Sequence, residues 1–142
     1  TGVELTSLGT NVALRKKVIS LTGADAAQTL TAKDSGSVVF LAGSNASTVT
    51  LPDHEAAGTG WFCTIIAGTA QAHVVDTGDD NILQGYMLDA SNGTTIVVAQ
   101  ITSQQKITLA NPKIGDRIEI ICDGTNFHVL ATLNDTATLA TS

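Results

Sequence analysis

The sequence predicts an all-β fold: an antiparallel β-sandwich, jelly-roll-like or barrel-like, with short hairpins and polar terminal arms. Short runs of β-branched and apolar residues recur along the 142 residues. Clusters of Gly, Asp, Asn and Ser separate these runs, at a spacing of roughly 8–12 residues that is typical of sandwiches and barrels. Sustained helical periodicity is nearly absent. Because no amphipathic segment is long enough to cross between parallel strands, we exclude a parallel α/β fold.

Eleven strands are expected along the chain. Several show the alternation of a strand with one buried face, as in Thr48–Leu51, where Val49 and Leu51 face one side and the threonines the other. The predicted strands are Val12–Leu21, Gln28–Ala32, Ser37–Ala42, Ser47–Leu51, Trp61–Ala67, Ala72–Asp76, Ile82–Met87, Thr94–Gln100, Lys106–Leu109, Arg117–Cys122 and Asn126–Leu133.

Some of these strands are apolar on both faces. The stretch Arg117–Ile120 alternates and then breaks at Ile121, and Val38–Leu41 and Thr94–Val98 are also two-sided. A strand covered on both faces has this pattern. We therefore expect these strands to be central or to lie at an interface.

The segments between strands carry turn signals. Asp123-Gly124 and Asn92-Gly93 are pairs that tolerate the left-handed dihedrals of tight hairpins. One helical turn is expected between Pro52 and Gly58, because a proline opens the segment, acidic residues follow in the first turn and a glycine ends it.

The length predicts one domain. Its ends differ from its body, since the first 22 residues are polar and basic in part, and the tail is small and polar. We expect residues 1–22 to form an N-terminal arm and first strand, residues 23–133 the sandwich, and residues 134–142 a C-terminal tail.

Charged residues are scarce, at 14% of the chain, against roughly 25% in average soluble domains. A Thr- and Ser-rich β surface would explain this. Burial of much of the surface against other subunits would also explain it, because interface cores are depleted of charge. Both explanations stay open, and the second predicts an oligomer.

The net charge of −6 is unevenly distributed. Residues 1–20 hold Arg15, Lys16 and Lys17 against Glu4, a net charge of +2, which leaves −8 for the rest. An acidic body argues against nucleic acid as a partner, because phosphate repels it. The three basic residues are candidate partner contacts. Alternatively, they are solvated charges that discourage edge-to-edge aggregation.

No enzyme activity is expected. His54, His73 and His128 are the available bases, and none lies in a nucleophile motif. Cys63 and Cys122 lie within predicted strands and are expected to be small buried residues.

No cofactor or metal is expected either. Asp53-His54-Glu55 suits a helix N-terminus better than a metal. Asp76, Asp79 and Asp80 lack the spacing of an EF-hand loop. No run approaches the ~20 apolar residues of a membrane-spanning helix, and no signal peptide is recognisable. We expect no nucleic acid, membrane or small-molecule substrate as partner.

A resemblance rests on the order of several segments. They are Leu30–Gly36, Thr48–Pro52, Gly60–Ile66, Gly78–Gly85 and Gly115–Val129, the last containing Asp-Gly-Thr-Asn before an aromatic residue. Over about residues 28–131, this order resembles the capsid decoration (cement) proteins of tailed bacteriophages and related β-modules of head or tail fibres. The resemblance implies a β-sandwich, often a homotrimer at local three-fold positions of an icosahedral shell, without cofactor or catalysis.

The expected function is therefore structural. The chain would bind the outside of a phage capsid and stabilise it, with the major capsid protein and its own copies, as a homotrimer, for partners. Its location would be the virion surface, after assembly in the host cytoplasm. The alternative is a fibre or tail module that recognises a receptor on the host cell.

Overall fold

The computed structural model describes residues 3–8, 11–78, 80–91, 93–134 and 137–140. Strands make up 51% of the structure and helix 6%, which confirms the all-β class. The strands are β1 (Val3–Leu8), β2 (Asn11–Lys16), β3 (Val18–Leu21), β4 (Ala27–Thr29), β5 (Ser37–Leu41), β6 (Ser47–Thr50), β7 (Phe62–Ala67), β8 (His73–Asp76), β9 (Leu83–Asp89), β10 (Val97–Gln104), β11 (Lys106–Leu109), β12 (Arg117–Cys122), β13 (Phe127–Leu133) and β14 (Ala137–Ala140). The helix α1 spans His54–Ala57, and a 3-10 turn spans Ala32–Asp34.

These strands form two large sheets and one ribbon. The first sheet has seven strands in the order β10-β9-β13-β12-β7-β5-β3, and the second has five in the order β14-β11-β8-β6-β4. Strands β1 and β2 pair only with each other, as an antiparallel ribbon. The two large sheets enclose the apolar core of a sandwich.

The sheets are mixed, so the expectation of a purely antiparallel sandwich is corrected. In the first sheet β5 runs parallel to both β3 and β7, and β9 runs parallel to β13. In the second sheet β6 runs parallel to both β4 and β8. Successive strands from β3 to β8 alternate between the two sheets. Each crossover between parallel neighbours therefore passes through a strand of the opposite sheet, and no crossover helix is needed.

The core consists of alternate residues of the strands. Central strands contribute Val39, Val49 and Ile118, each with no exposed surface. Trp61 and Phe127 pack edge to face, with their ring centroids 5.8 Å apart. Such aromatic pairs favour edge-to-face geometry and add to the stabilisation from area burial.

The expected helical turn is present. Asp53 caps it, since its carboxylate accepts hydrogen bonds from the backbone amides of Glu55 and Ala56 at 2.9 and 3.0 Å. Gly58 ends it with a φ of 75°, a value that favours glycine.

Both ends of the chain contain paired strands. The expected strand Val12–Leu21 is divided at Lys17 into β2 and β3, and β3 is an edge strand of the seven-stranded sheet. Near the other end, β14 pairs with β11 at the edge of the second sheet. In both segments, backbone hydrogen bonds to a neighbouring strand form the sheet edge, and small polar side chains do not prevent such pairing.

Gly85 lies where two strands approach closely. It pairs with Val129 of β13 and Ile101 of β10, and its φ is 141°. A Cβ atom here would overlap the backbone carbonyl of Val129, which cannot move without disturbing the sheet. We expect Gly85→Ala to lower the free energy of unfolding by roughly 3 kcal/mol, from overpacking and backbone strain together.

Equilibrium urea unfolding measures this loss. Gly23→Ala is the matched control, because its Cβ would meet only the Ala26 side chain at 3.9 Å. Equal unfolding midpoints for the two variants would contradict the described approach of β9 and β13.

Candidate interaction surface

The outward side of the seven-stranded sheet is rich in large apolar side chains. Because successive side chains of a strand point to opposite faces of the sheet, one set of residues lies in the core and the other set faces solvent. Phe62, Tyr86, Ile121 and Leu130 are 41%, 53%, 51% and 45% exposed. We call this surface the outer apolar face, and its apolar residues are Val18, Val38, Phe40, Phe62, Ile66, Tyr86, Leu88, Val98, Ile121 and Leu130.

The outward side of the other large sheet is polar by comparison. Strands β6, β8 and β11 present six residues there, of which Val74 alone is apolar. Three of the others are threonines, and Lys106 and Asp76 form an ion pair at 3.1 Å. The outward side of one large sheet is therefore Thr-rich, and that of the other is apolar.

Two charges lie within the outer apolar face. Arg117 and Glu119 occupy successive outward positions of β12 and are both exposed. Neither forms an ion pair with any residue that the structure describes. Beside them lies an open groove of about 480 Å³, whose walls include Phe62, Ile121 and Leu130. Lys16, one of the three predicted contact residues, lines the same groove.

The three predicted contact residues have different environments. Arg15 and Lys16 are exposed at the end of β2. Lys17 instead pairs with the carboxylate of Asp34 at 2.5 Å. Burial alone would raise the pKa of Asp34, but hydrogen bonds from Lys17 and from the amide and hydroxyl of Thr31 outweigh it and lower that pKa. Lys17 thus links the start of β3 to the 3-10 turn, whereas Arg15 and Lys16 are exposed.

A hairpin beside the groove is held by Asp123. Its carboxylate accepts backbone hydrogen bonds from Asn126 and Thr125 and lies 2.7 Å from the His128 ring. The bond from Asn126, followed by that from His128, lowers the pKa of Asp123 to about 2. His128 points outward and is anchored at the edge of the outer apolar face.

His73 is a structural residue of the core. Its Nδ1 accepts a hydrogen bond from the Ser47 amide at 3.1 Å, so the neutral ring carries its proton on Nε2. Nε2 lies 3.2 Å from both the carbonyl and the hydroxyl oxygen of Thr69. A protonated Nε2 donates here, so it cannot act as a base toward the Thr69 hydroxyl.

The remaining candidate chemistry is also structural. Cys63 and Cys122 are free and buried, as expected. Burial raises the pKa of the Cys63 thiol to about 12 and also raises that of Cys122. Among the described residues, no three His, Cys, Asp or Glu side chains are grouped to hold a metal. Asp79, part of the acidic cluster noted in the sequence, lies outside that part of the chain.

The fold and this surface define the chain as an all-β sandwich with one unusually apolar sheet face. Comparison with family models, curated proteins and solved structures finds no match. Within the described residues, no helix has the length and apolar character needed to span a membrane.

The sequence predicted the strands of this surface but not which of their residues lie together on it. The break of alternation at Ile121 and the two-sided run Val38–Leu41 were the available signals, and both fall on the outer apolar face. Arg117 and Glu119 were recognised only as the polar positions of an alternating strand. Their position amid apolar neighbours depends on strand order, which periodicity does not encode.

His73 should make the fold sensitive to mild acid. Burial lowers the pKa of its ring in the folded state. The ordinary pKa of a histidine is about 6.5. As the pH falls below this value, His73 becomes protonated in the unfolded chain but stays neutral in the folded chain. Stability is therefore full above that pH and declines as the pH drops further.

Urea midpoints at pH 7.5 and 5 measure this decline. His73→Asn keeps an acceptor for the Ser47 amide but does not titrate, so its midpoint should change less between the two pH values. His128→Asn is a comparison variant: its ring contacts Asp123 at the surface rather than the core, so the decline should persist when this ring is removed. A decline of the same size in wild type and His73→Asn would show that another group is responsible.

Proposed function

We propose that this chain is a structural virion protein, a capsid decoration (cement) protein that binds the outside of an icosahedral phage shell and stabilises it. The observation that carries the proposal is the outer apolar face. Soluble monomers rarely expose a contiguous apolar surface of more than a few hundred Å², and larger ones mark interaction sites. Here apolar residues continue across neighbouring strands of a seven-stranded sheet.

Rigidity of the sandwich supports an architectural role. A sheet face built on a packed core presents its side chains in fixed positions, so little conformational entropy is lost on binding. The resemblance noted in the sequence supplies the particular partner, a major capsid protein. Copies of the same chain are the second partner, and the homotrimer implied by the resemblance is part of the proposal.

The ribbon of β1 and β2 is the proposed shell contact. A lone two-stranded hairpin is at best marginally stable in water, so a ribbon that pairs with neither large sheet gains stability by lying on a surface. Its end carries the exposed Arg15 and Lys16. An acidic shell surface would attract this basic ribbon and repel the acidic body, which favours attachment through the ribbon.

The test is the binding of an Arg15→Ala, Lys16→Ala double variant to undecorated shells over a series of salt concentrations. Each exposed ion pair contributes about 0–1 kcal/mol. Loss of two should therefore weaken binding per subunit by up to roughly thirtyfold at low salt, and the difference should shrink as salt rises. The free energy of unfolding should stay unchanged.

Two control variants complete this experiment. Lys33→Ala with Lys113→Ala removes the same amount of charge from exposed positions outside β1 and β2 and should bind like wild type. Lys17→Ala should lower the free energy of unfolding by about 1 kcal/mol, because Asp34 loses a partner. Equal binding by wild type and the Arg15, Lys16 variant at low salt would rule out the ribbon as the shell contact.

A further inference from the structure

We propose that the outer apolar face binds the same face of a second copy, related by a two-fold axis that crosses β12 at right angles near Ile118. The inference rests on the proposed function only in treating this face as an interface. It adds the identity of the occupant and the register of the contact.

The charges on this face are self-complementary. Arg117 and Glu119 are two residues apart on one strand, which is about 7 Å. A two-fold axis that lies between the facing sheets and crosses the strand at Ile118 reverses the strand direction. It places Arg117 of one copy opposite Glu119 of the other, and the reverse pair forms beside it. Two ion pairs then form from one repeated contact.

The residues beside these charges also change places under this rotation. Across the sheet, Glu119 is level with Leu130 and Tyr86, and Arg117 is level with Thr132 and Leu88. The same rotation exchanges these two rows. Tyr86 of one copy then faces Leu88 of the other, so an apolar pair lies on one side of the ion pairs.

The other side of the ion pairs behaves in the same way. Val38 is level with Thr64 and Glu119, and Phe40 is level with Ile66 and Arg117. On exchange of the rows, Val38 faces Phe40 of the second copy. The same rotation places Leu130 opposite Thr132 on β13 and Ile66 opposite Thr64 on β7. A single operation therefore pairs charge with charge on β12 and apolar with apolar on β9 and β5, within the sheet separation of about 10 Å that packed sheets adopt.

The alternative axis is disfavoured. A two-fold axis parallel to β12 would place Arg117 opposite Arg117 and Glu119 opposite Glu119. Like charges at a desolvated interface repel, and burial of an unpaired charge costs several kcal/mol. A partner of unrelated sequence would need its own matched pair of charges, whereas a second copy supplies one by symmetry.

Charge reversal tests this geometry. The molar mass of the full chain is measured by size-exclusion chromatography with light scattering at micromolar concentration, without shells. We expect wild type to contain an even number of chains: two, or six when a trimer also forms. Arg117→Glu alone or Glu119→Arg alone should remove the pairing and lower the mass to half, because four like charges then face one another.

Complementation makes the test specific. An equimolar mixture of the Arg117→Glu and Glu119→Arg chains should recover the wild-type mass, because one copy is then wholly acidic and the other wholly basic at these positions. The double variant with both substitutions in one chain should also pair. Thr108→Glu, which adds a charge to the outward side of the five-stranded sheet on the opposite side of the sandwich, should leave the mass unchanged.

Three results would overturn the proposal. They are a wild-type mass of one or three chains, single reversals that keep the wild-type mass, and a mixture that stays at the mass of its separate components. Circular dichroism of each variant shows whether it is folded. Binding to shells is measured separately, so a chain that pairs in solution but binds no shell would refute the decoration function and leave the two-fold contact standing.

Discussion

Strands β3 to β13 supply the apolar layer between two sheets, and this shared layer limits what each strand can present to solvent. Because side chains alternate, the residues that face the layer fix the residues that face outward. A register shift of one residue would exchange the two sets and expose the core. Buried residues such as Ile118 and Val129 thus determine that Arg117 and Leu130 lie on the surface.

The sequence predicted the strands well because burial of one face leaves a local signature. The bounds of β11 and β12 agree with the expected ones, and the helical turn between Pro52 and Gly58 lies where proline and glycine indicated. Strand direction leaves no comparable signature. The chain between β5 and β7 contains β6 and α1, and nothing in its periodicity reveals that β6 belongs to the opposite sheet.

The candidate surface was predictable only in part, for a related reason. The distribution of charge identified Arg15, Lys16 and Lys17, but it could not show that Lys17 differs from the other two. The partner of Lys17 is Asp34, which is distant in sequence and is brought close by the pairing of β3 with β5. Likewise, the exposed apolar residues are scattered in sequence over several strands. The order of those strands in the sheet brings these residues together on one surface, and the sequence does not reveal that order.

Arg117 and Glu119 also bear on how an exposed apolar face remains specific. A purely apolar sheet face can associate in many registers, since the hydrophobic effect has no direction. Two opposite charges at its centre exclude every register that buries either charge without a partner, because each unpaired charge costs several kcal/mol. A buried ion pair adds little net affinity compared with apolar residues of the same size. In the proposed two-fold contact these ion pairs would therefore set the orientation of the two copies, and the apolar residues around Phe40 and Tyr86 would supply the affinity.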